Sequence, residues 1–559
     1  MKTIIIGGVA GGASAAARLR RLNEQAEILL IERGEYISFA NCGLPYYIGG
    51  TIQNQKNLTL QTPESFRARF NIDVRTNSEA IALSPADKTV TIRCADGHTY
   101  TETYDKLILS PGAEPVRPPV EGIDAAGVFT LRNIPDTLRI KQYIAEKQPK
   151  TAAVIGGGYI GVEMAENLTE AGLKVHIVEL AEHLIAPLDF DMAADVQSYI
   201  KSKGVCLHTS NGVAALHETE NGLLLQLQKG QITADMVILA VGVRPETALA
   251  KSAGLTCNAR GSIVVNEQMQ TSDPDIYAVG DAAEVTHYLT GSPAFLPLAG
   301  PANKQGRIAA DNICGLASRY TGTQGSSILK LFDLTIAATG LNETAAQAAG
   351  YDYDKTYTYS GSHAAYYPGA QNMSIKALWD KKTHRLLGAQ IVGGSGVDKR
   401  IDVLAAAIRF GAKITDLTEL ELCYAPPYGS AKDPVNMLGY VAENIITGKV
   451  KQFFWQEVDT LPRDGSVTLL DVRTDAEVSR GKIDGFQHIP LDSLRQSLDR
   501  LPKDKPVYVH CHSGLRSYIA CRILAGLGYN CYNLAGGWRL YAAASQEKAV
   551  PDYDCTQCR

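Results

Sequence analysis

The chain has 559 residues, with 54 basic and 59 acidic side chains and a formal net charge of -5. This length exceeds what one hydrophobic core supports, so three or four domains are expected. The near-balanced charge excludes a whole-protein attraction to nucleic acid or to an anionic membrane. The opening apolar run is too short for a signal peptide and no later run could span a bilayer, so a cytoplasmic protein is expected. Eleven cysteines, an odd number, favour reduced thiols over a disulfide framework.

Two segments repeat one pattern, KTIIIGGVAGGASAAARLRRLNEQAEILLIERG and TAAVIGGGYIGVEMAENLTEAGLKVHIVEL. Each has a β-branched run, a glycine cluster, a helix of small residues, a second apolar run and an acid. This order is typical of a βαβ unit in which the helix N-terminus receives a pyrophosphate. Two such units predict two bound dinucleotides.

The first glycine turn is irregular, because Val9 stands where the middle glycine of G-x-G-x-x-G would be. Its glycines still permit close backbone approach; they are Gly7, Gly8, Gly11 and Gly12. Glu32 follows Gly12 at the spacing of an acid that binds a ribose.

A single cysteine follows in the run SFANCGLPYY. Cys42 has no second cysteine four residues earlier, where Ser38 stands. A lone thiol cannot close an internal disulfide, so its oxidised state must be a mixed disulfide, a persulfide or a sulfenate. The sequence therefore predicts a redox thiol with an external sulfur partner.

The second glycine turn fits G-x-G-x-x-G, with Gly156, Gly158 and Gly161 between a strand and a helix. Glu179 then has the position of the ribose acid, which accepts hydrogen bonds from a 2′-hydroxyl and repels a 2′-phosphate. NADH is therefore favoured, although nearby basic residues leave NADPH open. The strand ADMVILAVGVRPE ends at Gly242, which is expected to border the same cofactor.

The segment TSDPDIYAVGDAAE resembles the flavin-binding signature of the two-dinucleotide disulfide reductase family. The resemblance implies FAD in the first unit, with Asp281, after Gly280, contacting the ribityl chain. It also implies that the helix in LAGPANKQGRIAADNI, with Ala299 at its start, points its positive end at the flavin ring. FAD in the first unit and NADH in the second follow as expectations.

The run around Cys42 is similar to the active-site segment of coenzyme A disulfide reductases and their single-cysteine relatives. The segments SHAAYYPGA and LCYAPPYGSAKDPVN look like those that place two tyrosines beside the cysteine of the other subunit. By the motif these are Tyr367 and Tyr424, with Tyr428 as an alternative to Tyr424. A phenol there could protonate a departing thiol. The resemblance implies a homodimer with shared sites.

Coenzyme A requires cations for its phosphates, and arginine binds two phosphate oxygens at once. The predicted substrate-binding residues are Arg18, Arg21, Ser38, Asn41, Arg67 and Arg75. NADH peroxidases and NADH oxidases share this type of site. A histidine in the first glycine turn is typical of the peroxidases, and GGVAGG has none.

The last hundred residues resemble a single-domain rhodanese through LLDVRTDAEVSRGKIDGFQHIPL and HCHSGLRS. Cys511 follows an apolar strand, and its loop leads into a helix, so amides and a helix N-terminus surround it; Arg516 adds a positive charge. Such a cradle stabilises a persulfide anion. Phosphatases with a C-x5-R loop are the alternative, but four residues separate Cys511 from Arg516, which suits one sulfur atom better. His510 and His512 are not expected to bind zinc, and no metal site is predicted.

The tail DYDCTQCR carries Cys555 and Cys558, which form either a resolving pair for Cys511 or part of a frayed end.

The predicted fold class is α/β, with two Rossmann-like domains, an α+β dimerisation domain and a C-terminal rhodanese domain. The expected bounds are 1–115 with 245–325 for FAD, 116–244 for NAD(H), 326–446 for dimerisation and 447–559 for the rhodanese. The expected reaction is NADH-dependent reduction of a coenzyme A persulfide, polysulfide or coenzyme A disulfide, coupled to sulfur transfer at Cys511. Three alternatives stay open: an oxygen-reducing NADH oxidase, a reductase of coenzyme A disulfide alone, and a rhodanese domain that carries or senses sulfur without catalysis.

Overall fold

The computed structural model describes residues 1–549, so Cys555 and Cys558 lie outside the described residues. The chain divides into two compact units. Unit 1 comprises residues 1–180 and 211–325, and unit 2 comprises residues 181–210 and, among the described residues, 326–549. None of the helices within residues 1–549 combines the length and apolarity needed to cross a membrane.

The first nucleotide-binding region of unit 1 contains a parallel five-stranded sheet. Its strands lie in the order Ile276–Ala278, Lys106–Leu109, Lys2–Ile6, Glu27–Ile31 and Asp73–Arg75. The accompanying α-helices are Ala10–Leu22, Leu44–Ile48, Pro63–Phe70, Ala248–Ser252 and Ala299–Ile313. Because the edge strand Ile276–Ala278 comes after the second nucleotide region, the chain leaves this sheet and returns to complete it.

Smaller antiparallel sheets surround the first region. One has the strands Ser78–Ser84, Thr89–Cys94 and Thr99–Thr103. Two further pairs are Ala113–Pro115 with Val243–Pro245, and Val285–Thr286 with Pro293–Ala294.

The second nucleotide-binding region of unit 1 repeats the parallel arrangement. The strands Lys174–Val178, Thr151–Ile155, Met236–Leu239 and Val128–Thr130 pair in that order. Its helices are Ile134–Lys147 and Tyr159–Glu170, and Val213–Thr219, Gly222–Leu227 and Gln231–Ala234 form an antiparallel sheet. The repeated sequence pattern thus becomes two Rossmann-like regions, as predicted.

Unit 2 is built first on an antiparallel sheet. Its strands lie in the order Ser327–Leu331, Leu334–Gly340, Leu386–Gly393, Asn372–Asp380 and Tyr353–Gly361. The helices of this region are Glu343–Ala348, Val397–Arg409 and Pro434–Ile446. The segment 181–210 belongs to the same unit; it contains the helix Phe190–Ser202 and the strand Cys206–His208, which is not part of this antiparallel sheet.

A buried charge cluster explains why residues 181–210 belong to unit 2. The ammonium of Lys376 lies 2.8 Å from Asp189, 2.8 Å from Asp191 and 2.5 Å from Glu343. Within residues 1–549, these three carboxylates are the one group whose oxygens lie close enough together to hold a metal ion. The Lys376 ammonium lies among them, and its loss would leave buried carboxylates without their shared cation.

The rhodanese-like region of unit 2 is a parallel sheet in the order Lys451–Phe453, Cys531–Leu534, Val507–His510, Thr468–Asp471 and Gln487–His488. Its α-helices are Trp455–Val458, Asp475–Val478, Leu515–Gly526 and Gly537–Ala549. The central strands are almost fully buried, as parallel strands covered on both faces must be. The predicted α/β class is confirmed, while the exact domain bounds stay predictions.

Candidate active sites

The first glycine turn needs glycine for steric reasons. Gly7 has a φ of +97°, and a Cβ there would lie 2.0 Å from the carbonyl oxygen of Ser110. A Cβ on Gly12 would lie 1.9 Å from the carbonyl oxygen of Gly7. The second turn repeats this contact, since a Cβ on Gly161 would lie 1.9 Å from the carbonyl oxygen of Gly156. Both turns therefore bring the helix start onto the strand end, which leaves the first helical amides open to a phosphate.

The predicted ribose acids lie at these turns. The Glu32 carboxylate accepts hydrogen bonds from the amides of Gly8 at 2.9 Å and Gly34 at 2.8 Å. The Glu179 carboxylate accepts one from the amide of Gly157 at 2.5 Å. Each acid is thus held beside its own glycine turn, where a ribose hydroxyl would meet it.

The flavin signature forms a second wall of the first nucleotide site. The Gly280 amide donates to the side chain of Gln305 at 2.7 Å, which ties the signature to the helix Ala299–Ile313. Burial raises the pKa of Asp281, and the charge of Arg132 opposes that rise. In the second region, Gly242 has a φ of +109° and its Cβ position has no atom within 4 Å, so the turn after that strand is open. These residues fit FAD and a nicotinamide dinucleotide.

Cys42 lies in the 3-10 turn Asn41–Gly43, directly before the helix Leu44–Ile48. Its thiol is free and exposed. The protein around it nevertheless raises its pKa by burial, and the negative charges of Glu163 and Asp281 add to the rise. A raised pKa lowers the fraction of thiolate at neutral pH, and the thiolate is the reactive form.

A cleft of about 370 Å³ lies on the helix that follows the first glycine turn. Its lining combines three arginines, four uncharged polar residues and an apolar part: Arg18, Arg21, Arg307, Ser14, Ser38, Gln61, Asn303, Ala13, Ala17, Phe66 and Phe70. Arg18 is also held by Asp311, with its Nε 2.7 Å from the carboxylate. The cleft therefore offers cations for phosphates and an apolar wall in one place.

The structure divides the predicted substrate-binding residues. Arg18, Arg21 and Ser38 line the cleft, whereas Asn41, Arg67 and Arg75 are not among its lining residues. Arg67 pairs with Asp73 at 2.8 Å. Arg75 instead donates to the same carboxylate and to Glu102, as part of an ion-pair network on the sheet.

Four polar cleft residues escaped the sequence analysis: Ser14, Gln61, Asn303 and Arg307. Asn303 and Arg307 lie one helical turn apart in the segment LAGPANKQGRIAADNI, so their i, i+4 spacing was a usable signal. The side chain of Ser14 donates to Asn303, which joins the two helices that form the cleft.

The two tyrosine segments of unit 2 meet, since the hydroxyls of Tyr366 and Tyr424 lie 2.8 Å apart. Tyr367, which the sequence analysis selected together with Tyr424, packs its ring edge-to-face on His363 with centroids 5.6 Å apart. The position of Tyr367 and Tyr424 beside the cysteine of a second subunit stays a prediction. Tyr428, the alternative, is 72% exposed. Adjacent tyrosines in SHAAYYPGA cannot be told apart by motif, and only the loop geometry distinguishes them.

Cys511 is fully buried at the start of its loop, between the strand Val507–His510 and the helix Leu515–Gly526. Its sulfur accepts hydrogen bonds from the amide of Gly514 at 3.1 Å and the hydroxyl of Ser517 at 3.2 Å. Ser517 was not singled out from sequence, although it follows Arg516 in HCHSGLRS. Two donors aimed at one sulfur atom stabilise its anion.

The helix Gly537–Ala549 fixes the other side of the loop. The amides of Trp538 and Arg539 donate to the carbonyls of Cys511 and His512 at 2.8 and 2.9 Å. These bonds satisfy two loop carbonyls and fix the loop on the side opposite the strand.

Arg516 has a second partner besides Cys511. Its guanidinium donates to both oxygens of Glu477, at 2.7 and 2.6 Å, and these bonds lower the pKa of Glu477 to about 2. The bonds to Glu477 raise the pKa of Arg516, and the nearby Cys511 adds to that rise. The arginine is therefore fixed in direction at the rim of the loop.

The two histidines that flank Cys511, His510 and His512, have different surroundings. His510 is buried, and burial lowers its pKa to about 4. Burial also lowers the pKa of His512, on the exposed side of the loop. Both imidazoles are thus favoured in the neutral form.

Three family models match the chain. Residues 1–306 match the pyridine nucleotide-disulphide oxidoreductase model, and residues 326–434 match the dimerisation domain of the same family. Residues 454–544 match a rhodanese-like domain.

Among similar proteins, a coenzyme A disulfide reductase of Staphylococcus haemolyticus is 37% identical, over 79% of this chain and 100% of the relative. The crystal structure of reduced CoADR-RHD from Bacillus anthracis is 50% identical, with a TM-score of 0.95 and 98% of each chain covered. A NAD-dependent persulfide reductase from A. fulgidus is 37% identical, with a TM-score of 0.91, 97% of this chain and 100% of that chain covered. The last two resemblances therefore extend over nearly the whole chain.

Proposed function

The chain belongs to the pyridine nucleotide-disulphide oxidoreductase family, and we propose that it uses NADH to reduce a persulfide or disulfide of coenzyme A at Cys42. The observation that carries this proposal is the arginine-bearing cleft that includes Ser38, in the same short segment as Cys42. A nucleotide-bearing thiol needs both phosphate cations and an apolar wall, and the cleft has both. Glutathione lacks phosphates and could meet those arginines only through its two carboxylates.

The family depends on FAD and NAD(P)H. FAD, when bound, supplies the two-electron transfer between the nicotinamide and sulfur. Gly7, Gly12, Glu32 and Asp281 would hold it, while Gly156, Gly161 and Glu179 would hold the nicotinamide dinucleotide. Because the Glu179 carboxylate disfavours a 2′-phosphate, NADH is the proposed donor.

The proposed reaction at Cys42 has two forms. With a persulfide, NADH, one proton and the persulfide of coenzyme A give NAD⁺, coenzyme A and hydrogen sulfide. With the disulfide, NADH, one proton and coenzyme A disulfide give NAD⁺ and two molecules of coenzyme A. In both, Cys42 forms a mixed disulfide or a persulfide on the way, since it has no resolving cysteine in its segment.

The rhodanese-like domain is proposed to supply the sulfur. The Cys511 thiolate attacks the outer sulfur of a sulfane donor, such as thiosulfate or polysulfide. The donor S–S bond breaks, Cys511 becomes a persulfide, and sulfite or the polysulfide shortened by one sulfur leaves. That terminal sulfur passes to the thiol of coenzyme A, which regenerates Cys511 and forms the persulfide that the reductase consumes. The two donors at the sulfur, Gly514 and Ser517, support an anionic persulfide carrier.

We place Tyr366, rather than Tyr367, with Tyr424 as the proton-donating pair in a homodimer. The dimerisation domain supports a homodimer. The hydroxyl-to-hydroxyl contact supports the pair, because one phenol of the two donates to the other and the phenol that accepts becomes a stronger donor to a departing thiolate. Tyr366 is 75% exposed, so its hydroxyl is available to a second subunit.

The test is an anaerobic comparison of NADH oxidation with coenzyme A persulfide, coenzyme A disulfide and polysulfide. Cys42→Ser should lose activity with all three, whereas Cys511→Ser should lose only sulfur transfer from thiosulfate or polysulfide. Cys94→Ser, in the strand Thr89–Cys94, is the matched control and should keep all rates. Retained reduction in Cys42→Ser would overturn the proposal. In air, oxygen uptake that matches NADH use would instead show an oxidase.

A further inference from the structure

Two ionisable side chains of unit 1, Tyr46 and Glu163, form a contact near Cys42 in addition to the residues described above. The turn Asn41–Gly43 continues into the helix Leu44–Ile48, with right-handed helical dihedrals at both Gly43 and Leu44. Tyr46 is four residues after Cys42, so the two side chains leave the same face of this helical stretch.

The hydroxyl of Tyr46 donates to the carboxylate of Glu163 at 3.2 Å. Glu163 lies on the helix Tyr159–Glu170, in the second nucleotide region of unit 1. The backbone of Gly49 lies close to the side chain of Asn167 on the same helix as Glu163, because a Cβ on Gly49 would lie 2.3 Å from the Asn167 side-chain oxygen. The side chain of Asn167 in turn donates to the carbonyl of Glu163 at 2.8 Å.

The charges around Cys42 are mostly negative. Burial raises the pKa of Glu163 to about 7; the hydrogen bond from Tyr46 opposes that rise, and the buried Glu166 adds to it. The pKa of Cys42 is raised first by burial, then by the charge of Glu163 and then by that of Asp281. The positive charge of Arg132 acts on Asp281 and opposes the rise in the pKa of that carboxyl. Because a nearby negative charge disfavours the thiolate, protonation of Glu163 favours the ionised form of Cys42.

We propose that Glu163, held by Tyr46, is a positioning residue that binds a proton when Cys42 is reduced and releases it when Cys42 is oxidised. This inference rests on the proposed role of Cys42 as the redox thiol. Glu163 binds a proton within the same subunit as Cys42, whereas the proposed tyrosine pair protonates the departing thiol.

The step balances in charge and atoms. Two electrons from the reductase reaction break the sulfur–sulfur bond between Cys42 and a substrate thiol, leaving the Cys42 thiolate and the substrate thiolate. One solvent proton binds the Glu163 carboxylate, which compensates the new charge at Cys42, and a second converts the substrate thiolate to a thiol. When the Cys42 thiolate attacks the next disulfide, its charge departs with the released thiolate and Glu163 returns its proton.

The first experiment titrates the thiol without substrate. Reduced holoenzyme is alkylated with iodoacetamide from pH 5.5 to 9, and modification of the Cys42 peptide is followed by mass spectrometry. A carboxylate near the thiol disfavours its anion, so Glu163→Gln should lower the apparent thiol pKa by about one unit. Glu170→Gln, at the exposed end of the same helix, is the matched control and should not shift it. Superimposable curves for wild type and Glu163→Gln would overturn the proposal.

Tyr46→Phe provides an independent variant if Glu163→Gln fails to fold. Loss of the phenol removes a stabilising bond from the Glu163 carboxylate, so the carboxyl stays neutral to higher pH. The thiol pKa should then fall, but by less than in Glu163→Gln. An unchanged or raised thiol pKa in Tyr46→Phe would also overturn the proposal.

Proton uptake during anaerobic reduction by NADH separates this inference from the proposed function. In weak buffer with an indicator dye near pH 7.5, the wild type should take up more protons per two electrons than Glu163→Gln. Equal uptake overturns the coupling even if Cys42 is the redox thiol. If Cys42→Ser still turns over substrate, the redox role fails, whereas the alkylation titration still reports whether the two groups are coupled.

Discussion

Cys42 and Cys511 are two thiols in opposite surroundings. Cys42 lies in an exposed position. Its pKa is nevertheless raised, first because the surrounding protein partly shields the thiol from water and then because Glu163 and Asp281 are negatively charged. Cys511 is fully buried, and an amide and a hydroxyl donate directly to its sulfur. Hydrogen bonds to an anion favour it, whereas nearby carboxylates disfavour it. The reductase thiol therefore depends on proton exchange with its neighbours, and the rhodanese thiol depends on fixed donors.

The largest effect that separates the Cys42 site from the Cys511 site is expected from the tyrosine pair proposed to act at Cys42. Tyr366→Phe should lower kcat for coenzyme A disulfide reduction by about 100-fold, because general acid catalysis contributes at least that much. Sulfur transfer from thiosulfate at Cys511 should not change. Tyr367→Phe is the matched control, with one hydroxyl removed from the neighbouring residue. Equal losses in both variants would show that the 2.8 Å contact between Tyr366 and Tyr424 does not identify the acid.

The second prediction removes one fixed donor at Cys511. Ser517→Ala should slow sulfur transfer by about tenfold, since a hydrogen bond to a charged group contributes about 1.5 kcal/mol or more. NADH oxidation with coenzyme A disulfide should be unaffected. Ser513→Ala, in the same loop, is the control, and the measurement is thiosulfate-dependent persulfide formation. A full rate in Ser517→Ala would mean that the backbone amides stabilise the persulfide alone.

The third prediction concerns substrate recognition at the reductase site. Arg21→Ala should raise KM for coenzyme A disulfide by about fivefold, equivalent to about 1 kcal/mol, by removing one phosphate contact. Arg67→Ala is the control because its guanidinium pairs with Asp73 and does not line the cleft. If Arg67→Ala raised KM and Arg21→Ala did not, coenzyme A would bind elsewhere.

The smallest effect is expected from the ion pair at the rim of the Cys511 loop. Arg516 lowers the pKa of Glu477 to about 2, below its usual value of about 4.3. A lowered carboxyl pKa stabilises the folded state above the unfolded value, and this contribution is lost as pH falls towards 2. The wild type should therefore have a higher urea midpoint than Glu477→Gln at pH 6, and the difference should shrink at pH 3. A constant difference would assign the effect to packing.

Local signals predicted much of the fold. The glycine turns, the strands that precede them and the acids that follow lie within some thirty residues of one another, and the structure joins each set by short contacts. Cys511 and its loop were equally readable, since strand, loop and helix are consecutive. The strand Ile276–Ala278, with which the chain rejoins the first parallel sheet, could be predicted because it lies in the flavin-binding signature.

The candidate substrate cleft was only partly readable. Arg18 and Arg21 share a helix with the glycine turn, so their proximity followed from local geometry. Arg67 and Arg75 looked equivalent to Arg18 and Arg21 in sequence, yet the carboxylates of Asp73 and Glu102, both in strands, hold them. Side-chain direction and distant ion partners decided between them, and a single sequence shows neither.

The sequence by itself determined the nucleotide-binding turns and the presence of two cysteines in unlike settings. These features rest on backbone conformation and on neighbours a few residues away. Only the tertiary structure decided which tyrosine meets Tyr424, which arginines share a cleft, and that Tyr46 bonds to Glu163. Those contacts join residues far apart in the chain, and their distances depend on how helices and loops pack rather than on any local pattern.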